Sequence, residues 1–183
     1  FSMLFFDFSV YLIASGALIA GFVNAAFATG GIYIQLAVSL LVLSPTSAVA
    51  FQAPLSFTSL LTRIYLFWSD LQWPYIYNFI VGCFFGVALG IVVFSQFSER
   101  GLMLMLGFLI LFLIWFPISQ GKAPKAKQFS VIGFFHSIVG TMFGIGGILQ
   151  PILLRTPLLK GQITGTLAAC LASLDALKII SYA

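Results

Sequence analysis

The sequence contains very little charge, cysteine or histidine. Its 183 residues include 8 Lys and Arg and 4 Asp and Glu, so that only 7% are charged, against roughly 25% in soluble domains. This scarcity excludes an ordinary soluble protein. The two cysteines, Cys83 and Cys170, lie far apart in apolar runs and do not indicate a disulfide framework, and the single histidine, His136, cannot form a multi-histidine zinc site.

Several catalytic and nucleotide-binding motifs are also absent. The chain contains no H-E-x-x-H, no G-x-S-x-G and no P-loop, so neither a hydrolytic enzyme nor ATP-driven transport is supported. We therefore expect no enzyme activity, no cofactor and no bound metal. A metal ion as cargo is disfavoured too, because hard cations want several oxygen ligands and Asp175 is the only acid well inside a predicted span.

Apolar residues dominate what is present. Hydrophobic residues make up 61% of the chain, 21 of them phenylalanines, and the mean hydropathy is +1.15. Such a composition predicts an all-α, polytopic bundle of transmembrane helices. Since a bilayer core requires about 20 apolar residues per helix, the predicted membrane segments are 8–43, 47–68, 74–97, 102–116, 129–159 and 162–183.

The basic residues lie mostly between these runs and indicate orientation. Three lysines in the linker 119–128 should be cytoplasmic by the positive-inside trend. Counting spans from that linker places the connection carrying Arg63 and Asp70 on the cytoplasmic side as well. The same count places the turn at Glu99 and Arg100 outside.

Glycines mark a helix-packing face and two helix breaks. Gly82, Gly86 and Gly90 recur at four-residue intervals, which lines one face of the third predicted segment with residues small enough for close backbone approach. The runs 8–43 and 129–159 are too long for one straight crossing. Each is interrupted by a glycine pair, which predicts a glycine-broken helix at the start of each half of the chain.

The two halves resemble each other at an offset of 116 residues. This offset aligns Gly30-Gly31-Ile32 with Gly146-Gly147-Ile148 and Phe27 with Phe143, without a gap. The predicted organisation is a first repeat over 8–118, with a broken helix and three further spans, a basic cytoplasmic linker over 119–128, and an incomplete second repeat over 129–183. Whether the repeats are parallel or inverted stays open, because it depends on whether each broken segment crosses once or folds back.

The glycine-rich segments, taken in order, resemble the TauE/SafE family of sulfite exporters. The resemblance rests on 21–31 (GFVNAAFATGG), on Pro45, on the Gly82 helix and above all on 140–147 (GTMFGIGG). It implies an eight-span transporter. The repeat offset independently predicts two further helices, because a complete second copy would extend beyond Ala183 to give a parent chain of about 240 residues. Gln35 departs from the family pattern, which has proline there, as the second repeat does at Pro151.

The resemblance implies transport of small sulfur-containing anions, such as sulfite, sulfonates or other organosulfur acids, often outward. The expected partners are that anion and membrane lipid, with no nucleic acid; a homodimer is one assembly left open. The expected location is the cell inner (plasma) membrane, as a multi-pass protein. With no ATP site, the driving force must be a gradient, and an inside-negative potential favours expulsion of an anion. The alternative is a transporter or channel for a different small solute, including import of an organosulfur acid coupled to a cation.

A substrate site is expected at the broken helices. A break in mid-membrane frees backbone N–H groups that lipid cannot satisfy, and half-helix N-termini carry partial positive charge that suits an oxyanion. Polar side chains would complete the site, or alternatively would only hold helices together. The predicted substrate-binding residues are Asn24, Thr29, Gly30, Gly31, Gln52, Gly146, Gly147, Gln150, Arg155 and Thr166.

Four charged or titratable residues, Arg155 among them, allow two interpretations each. Arg155 would either bind the anion or extend to the membrane surface. Asp175 and Lys178 share a helix face at i, i+3 and would either act in transport, neutralising each other, or lie near that surface. His136 would carry a proton or simply be a polar residue at a helix entrance.

Overall fold

The structure is a computed structural model, and it describes residues 2–27, 30–115, 122–144 and 147–182. Within these ranges every regular element is helical, as the composition predicts. The helices are α1 (Ser2–Phe27), α2 (Gly31–Leu40), α3 (Pro45–Leu66), α4 (Trp73–Gln96), α5 (Glu99–Trp115), α6 (Phe129–Phe143), α7 (Leu149–Leu153) and α8 (Lys160–Tyr182). Short 3-10 turns occupy Trp68–Asp70 and Ala126–Gln128.

Local sequence signals explain where several helices begin and end. The Ser44 hydroxyl accepts a hydrogen bond from the Ser47 N–H at 3.3 Å, and Pro45 stands in the first turn of α3, where its missing N–H is harmless. At the end of α6, Gly144 adopts a left-handed conformation with φ 69°. This conformation is readily available to glycine.

The two long predicted runs are each divided between two helices. Run 8–43 becomes α1 and α2, and run 129–159 contains α6 and α7. Ala28, Thr29, Ile145 and Gly146 lie outside the described residues, so a glycine break as the cause of each division stays a prediction. The internal repeat also stays a prediction.

Close contact between α4 and α6 organises the bundle. A Cβ atom at Gly82 would overlap the carbonyl oxygen of Ser130, and one at Gly86 would overlap that of Phe134. In the other direction, Gly133 of α6 approaches the Phe79 carbonyl of α4. The packing face predicted from the glycine spacing therefore exists, and its partner is α6.

The remaining contacts place α8 across the centre. It packs against α3 and α4, while α1 packs mainly against α2. Phe79, Cys83, Phe129, Leu153 and Cys170 form part of the largest buried cluster, and both cysteines are free thiols.

Much of the outer surface is apolar. Phe22, Tyr65 and Trp115 are each more than three-quarters exposed, at 77%, 81% and 79%. Two of the described helices are long and apolar enough to cross a membrane, Trp73–Gln96 and Lys160–Ser181. Large exposed apolar surfaces are typical of contact with lipid or with another protein.

Candidate functional site

A cavity of about 700 Å³ lies within the helix bundle. Residues of α1, α2, α3, α6, α7 and α8 line it, together with Gly144 and Gly147. Most of the exposed area of its wall is apolar, and polar or charged side chains are placed among the aliphatic ones and the glycines. This is the usual character of a small-molecule site, in which a small number of placed polar groups fix the ligand.

Asn24 connects three elements at one side of the cavity. Its Oδ1 accepts a hydrogen bond from the Gly31 N–H at 3.2 Å, at the start of α2. Its backbone oxygen accepts one from Nη2 of Arg63 on α3, at 2.7 Å. The Gly31 N–H at the start of α2 is thus bonded to a protein side chain and is not available to a ligand.

The backbone at Gly31 leaves no room for a side chain. A Cβ atom there would overlap the backbone oxygen of Ala20 and press on the Asn24 side chain, at 2.8 Å from its Cγ. The neighbouring Gly30 has φ 100°, in the left-handed region that favours glycine. The pair therefore allows α2 to begin in direct contact with α1.

Three glutamines contribute amide groups to the cavity wall. Gln52 Nε2 donates to the Ile32 carbonyl at 3.0 Å, which joins α3 to α2, and Gln35 Nε2 donates to Ser39 Oγ at 3.3 Å. The Oε1 atoms of Gln35, Gln52 and Gln150 are buried without a hydrogen-bond partner among the described residues. These three oxygens are covered by surrounding protein atoms and are not open to a ligand in the cavity.

Helix α8 contributes one acid and one base. Asp175 is 8% exposed and Lys178 is 2% exposed, and both line the cavity. The Ser56 hydroxyl of α3 donates to Asp175 Oδ2, and Lys178 Nζ donates to the Gly140 carbonyl of α6 at 3.2 Å. Both side chains are therefore buried inside the protein, while a role of the pair in transport stays a prediction.

Among the described residues that line the cavity, two are cationic and one is anionic. Arg63 and Lys178 are basic, and Asp175 is the acid. The formal sum is one positive charge in a largely apolar space, where electrostatic interactions are stronger than in water. Such a wall attracts a small anion.

The predicted site residues divide into four groups, of which the first three are as follows. Asn24, Gly31, Gln52, Gly147 and Gln150 come together around the cavity. Gly30 is the N-cap residue of α2 beside it. Thr29 and Gly146 lie outside the described residues.

Two predicted site residues lie elsewhere in the described structure. Thr166 is buried, and its hydroxyl accepts a hydrogen bond from the Gln72 N–H at 3.1 Å, which fastens the α3–α4 connection to α8. Arg155 follows α7 and is not among the residues that line the cavity. His136 is buried within α6, and its ring centroid lies 5.8 Å from that of Phe79.

Arg63 is the charged residue of the described cavity lining that sequence reasoning missed, because it was assigned to a cytoplasmic connection as an orientation signal. It lies in the last turn of α3 and turns back toward Asn24. The available signal was the position of Arg63 inside the predicted apolar run 47–68, before the loop that follows Leu66. Among the described residues, no group of three or more histidine, cysteine or acidic side chains is placed to bind a metal ion.

The sequence matches the family described as Sulfite exporter TauE/SafE over residues 13–183. The chain belongs to the TauE/SafE family. This is a family of membrane transporters for sulfite-type anions and not of enzymes, which agrees with the apolar surface and with the charge of the cavity. No curated protein and no solved structure matched the chain.

Proposed function

We propose that this TauE/SafE chain is a secondary transporter or uniporter that moves small sulfur-containing anions outward across the cell membrane. The observation that carries the proposal is the cavity, in which Arg63 and Lys178 stand among amide groups and aliphatic side chains. Sulfite and sulfonates are compact oxyanions that suit charged and amide donors. The aliphatic part of the wall suits the short carbon chain of a sulfonate.

Arg63 is the principal anion-binding residue in this proposal. Its guanidinium is planar and always charged, and it matches the paired oxygens of an oxyanion. The bond from Nη2 to Asn24 O holds this group at the cavity wall. Lys178, held by the Gly140 carbonyl, supplies the second positive charge.

The two predicted repeats both contribute to the proposed site. Asn24, Gly31 and Gln52 belong to the first half of the chain, and Gly147 and Gln150 to the second. Sites at the interface of internal repeats are common in secondary transporters. This shared lining supports the repeat proposal and a mechanism in which one half moves against the other.

The direction follows from charge. An inside-negative potential of 100 mV contributes about 2.3 kcal/mol for each negative charge that leaves the cell. A monoanion would thus leave the cell without any coupling ion. The alternative is import coupled to a cation, and the observation in its favour is Asp175, a carboxylate in the same cavity.

The test is sulfite and ethanesulfonate flux in proteoliposomes that contain the full chain. We expect Arg63→Gln to lower flux by at least about tenfold, because it removes the charge that meets the anion. The matched control is Arg100→Gln, which removes the same charge from an exposed position outside the cavity. Thermal melting of each variant verifies folding.

Two results would overturn the proposal. One is the absence of flux or binding for every sulfur anion in a folded wild-type protein. The other is equal flux in Arg63→Gln and Arg100→Gln. Flux that requires an inward cation gradient, and that runs inward, would replace export by cation-coupled import.

A further inference from the structure

A second cavity, of about 210 Å³, lies between α5 and the neighbouring helices. The described residues that line it come from α2, α3, α4, α5 and α6, and their side chains are hydrocarbon or thioether groups. Leu102, Met142 and Phe143 at its floor are buried, whereas Met103 and Ile110 at its rim are exposed. The cavity is therefore an apolar groove that opens at the protein surface.

Helix α5 forms one side of this groove along half of its length. Leu102, Met103, Leu106, Gly107 and Ile110 recur at intervals of three and four residues and share one face of the helix. From the first to the last of them the helix rises roughly 12 Å, which is close to the depth of one bilayer leaflet, about half of a hydrocarbon core of about 30 Å. No atom of another described element lies within 4 Å of a Cβ atom built at Gly107. The groove thus has room for a chain that runs along the helix.

The surface around the groove indicates where an occupant comes from. Leu104, Phe108 and Leu111 lie elsewhere on α5 and are 69%, 72% and 59% exposed. In a membrane protein such a surface contacts the acyl chains of lipid. An acyl chain can therefore enter the groove from the bilayer without passing through water, and apolar cavities bind apolar molecules in preference to water.

One end of the groove carries polar and charged groups. The Thr46 hydroxyl at the start of α3 donates to Glu99 Oε1 at the start of α5, at 3.0 Å, and the Ser44 hydroxyl lies 3.0 Å from that of Thr46. Glu99 precedes Met103 by four residues, so it lies on the groove face of α5. Arg100 follows it, so this end has both signs of charge. Such an end is complementary to a zwitterionic headgroup with a cationic tip.

The groups beside Glu99 favour one kind of cation. A primary ammonium has three N–H donors and can bond to a carboxylate and to neighbouring hydroxyl oxygens together. The quaternary ammonium of a choline headgroup has no N–H donor, and a glycerol headgroup has no cation. Ethanolamine is therefore the phospholipid headgroup that matches the carboxylate and the hydroxyls.

We propose that the groove binds a phospholipid of the phosphatidylethanolamine class. One acyl chain lies along α5 from Leu102 to Ile110, and the ammonium group donates to the Glu99 carboxylate. The lipid fills the open space at Gly107 and attaches α5 to α2, α3 and α6. This site is independent of the transported solute, because the groove and the charged cavity share no described lining residue.

Three phospholipids with identical oleoyl chains test the proposal on the wild-type protein. They carry ethanolamine, choline or glycerol headgroups, and native mass spectrometry of the full chain in detergent measures how tightly each is retained. We expect phosphatidylethanolamine to bind at least about tenfold more tightly than the other two, because only its headgroup can donate N–H groups to a carboxylate. None of these measurements uses the transported anion, so their failure leaves the proposed function intact.

Two variants of α5 test the position of the acyl chain. Gly107→Phe puts a phenyl ring into the groove, and we expect it to weaken the binding of all three lipids by at least about tenfold. Leu104→Phe is the matched control, because it puts the same ring on an exposed part of α5 outside the groove. It should bind lipid as the wild type does. Thermal melting verifies that both variants fold.

Two variants at the charged end test the headgroup. Glu99→Gln removes the carboxylate, and we expect most of the preference for phosphatidylethanolamine over phosphatidylcholine to be lost. Arg100→Gln removes the neighbouring charge and leaves the carboxylate in place, so it should retain the preference.

Photolabelling of the wild-type protein gives a result that does not depend on the folding of any variant. A phosphatidylethanolamine with a diazirine in its acyl chain is added in equimolar amount to the protein in detergent. It should label Met103 and Ile110 in the groove more than Leu104 and Phe108 outside it. Equal labelling of the four positions would show that the groove is not the site.

The other contrary results are equally specific. Equal lipid binding by Gly107→Phe and Leu104→Phe would exclude the groove, and equal binding of the three headgroups by the wild type would overturn the assignment of Glu99. A dimer that cross-links through Met103 and retains no lipid would assign the groove to a second copy of the chain.

Discussion

Asn24 shows how one side chain shapes the cavity at the residue scale. Its Oδ1 is bonded to the start of α2 and its backbone oxygen to Arg63 of α3, so α1, α2 and α3 meet at this residue. Replacing the side chain leaves the Arg63 bond in place, because that bond uses the backbone. The two functions of the residue are thus separable by mutation.

We expect Asn24→Ala to lower the free energy of unfolding by about 1–3 kcal/mol, because the Gly31 N–H loses its acceptor in a buried position. The measurement is denaturant unfolding in detergent, with hydrogen exchange at the Gly31 amide. The control is Thr58→Ala, also at the cavity, whose hydroxyl donates to Leu55 O in its own helix. Equal stability in the two variants would contradict this assignment.

The site was partly predictable at this scale. Asn24, Gln52 and Gln150 stand out in the sequence because amides are rare in apolar runs, and all three line the cavity. Arg63 was not identified because a cation near the end of an apolar run also fits a loop. Its role depends on the approach of α1 to α3, a long-range contact that spacing along the chain does not encode.

Among the elements, α4 and α6 form the closest pair. Their contact uses glycines from both helices, with Gly82 and Gly86 on α4 and Gly133 on α6. Four-residue spacing predicted the face on α4, since small residues at that interval form a stripe. The partner helix was not predictable, because a stripe of glycines indicates a close helix contact without identifying the second helix.

We expect Gly82→Ala to destabilise the protein by about 1–3 kcal/mol through overpacking, because the new methyl group would overlap the Ser130 carbonyl. Gly107→Ala on α5 is the matched control, since no atom of another described element lies within 4 Å of a Cβ atom built there. That change should be neutral or slightly stabilising, as alanine favours helix. Thermal melting in detergent measures both; a Gly82 variant as stable as the control would exclude close packing at this face.

For the molecule as a whole, helix content and most helix positions followed from hydropathy, while the division of the long runs required the structure. Run 129–159 contains α6 and the short helix α7, with non-helical residues after each. Hydropathy averaged along the run does not show where these two helices end. Orientation across the membrane rests on the lysines of the linker, and it stays a prediction.

Single-cysteine labelling tests that orientation. A reporter cysteine at Lys125→Cys should react with a membrane-impermeant maleimide only from the cytoplasmic side, and one at Ser98→Cys only from outside. Both positions are exposed. Cys83 and Cys170 are buried, so the unmodified protein gives the background. Labelling of both positions from the same side would contradict the predicted count of spans.

The charged face of α8 has a consequence for biogenesis. Asp175 and Lys178 would each cost about 2.5–3.5 kcal/mol at the centre of an isolated helix in lipid. Their partners are Ser56 on α3 and the Gly140 carbonyl on α6, and both helices precede α8 in the chain. A ribosome that synthesises the protein from its N-terminus therefore delivers these partners before the charges that need them. The order of synthesis is also a workable order of assembly, and α8 need not face lipid alone.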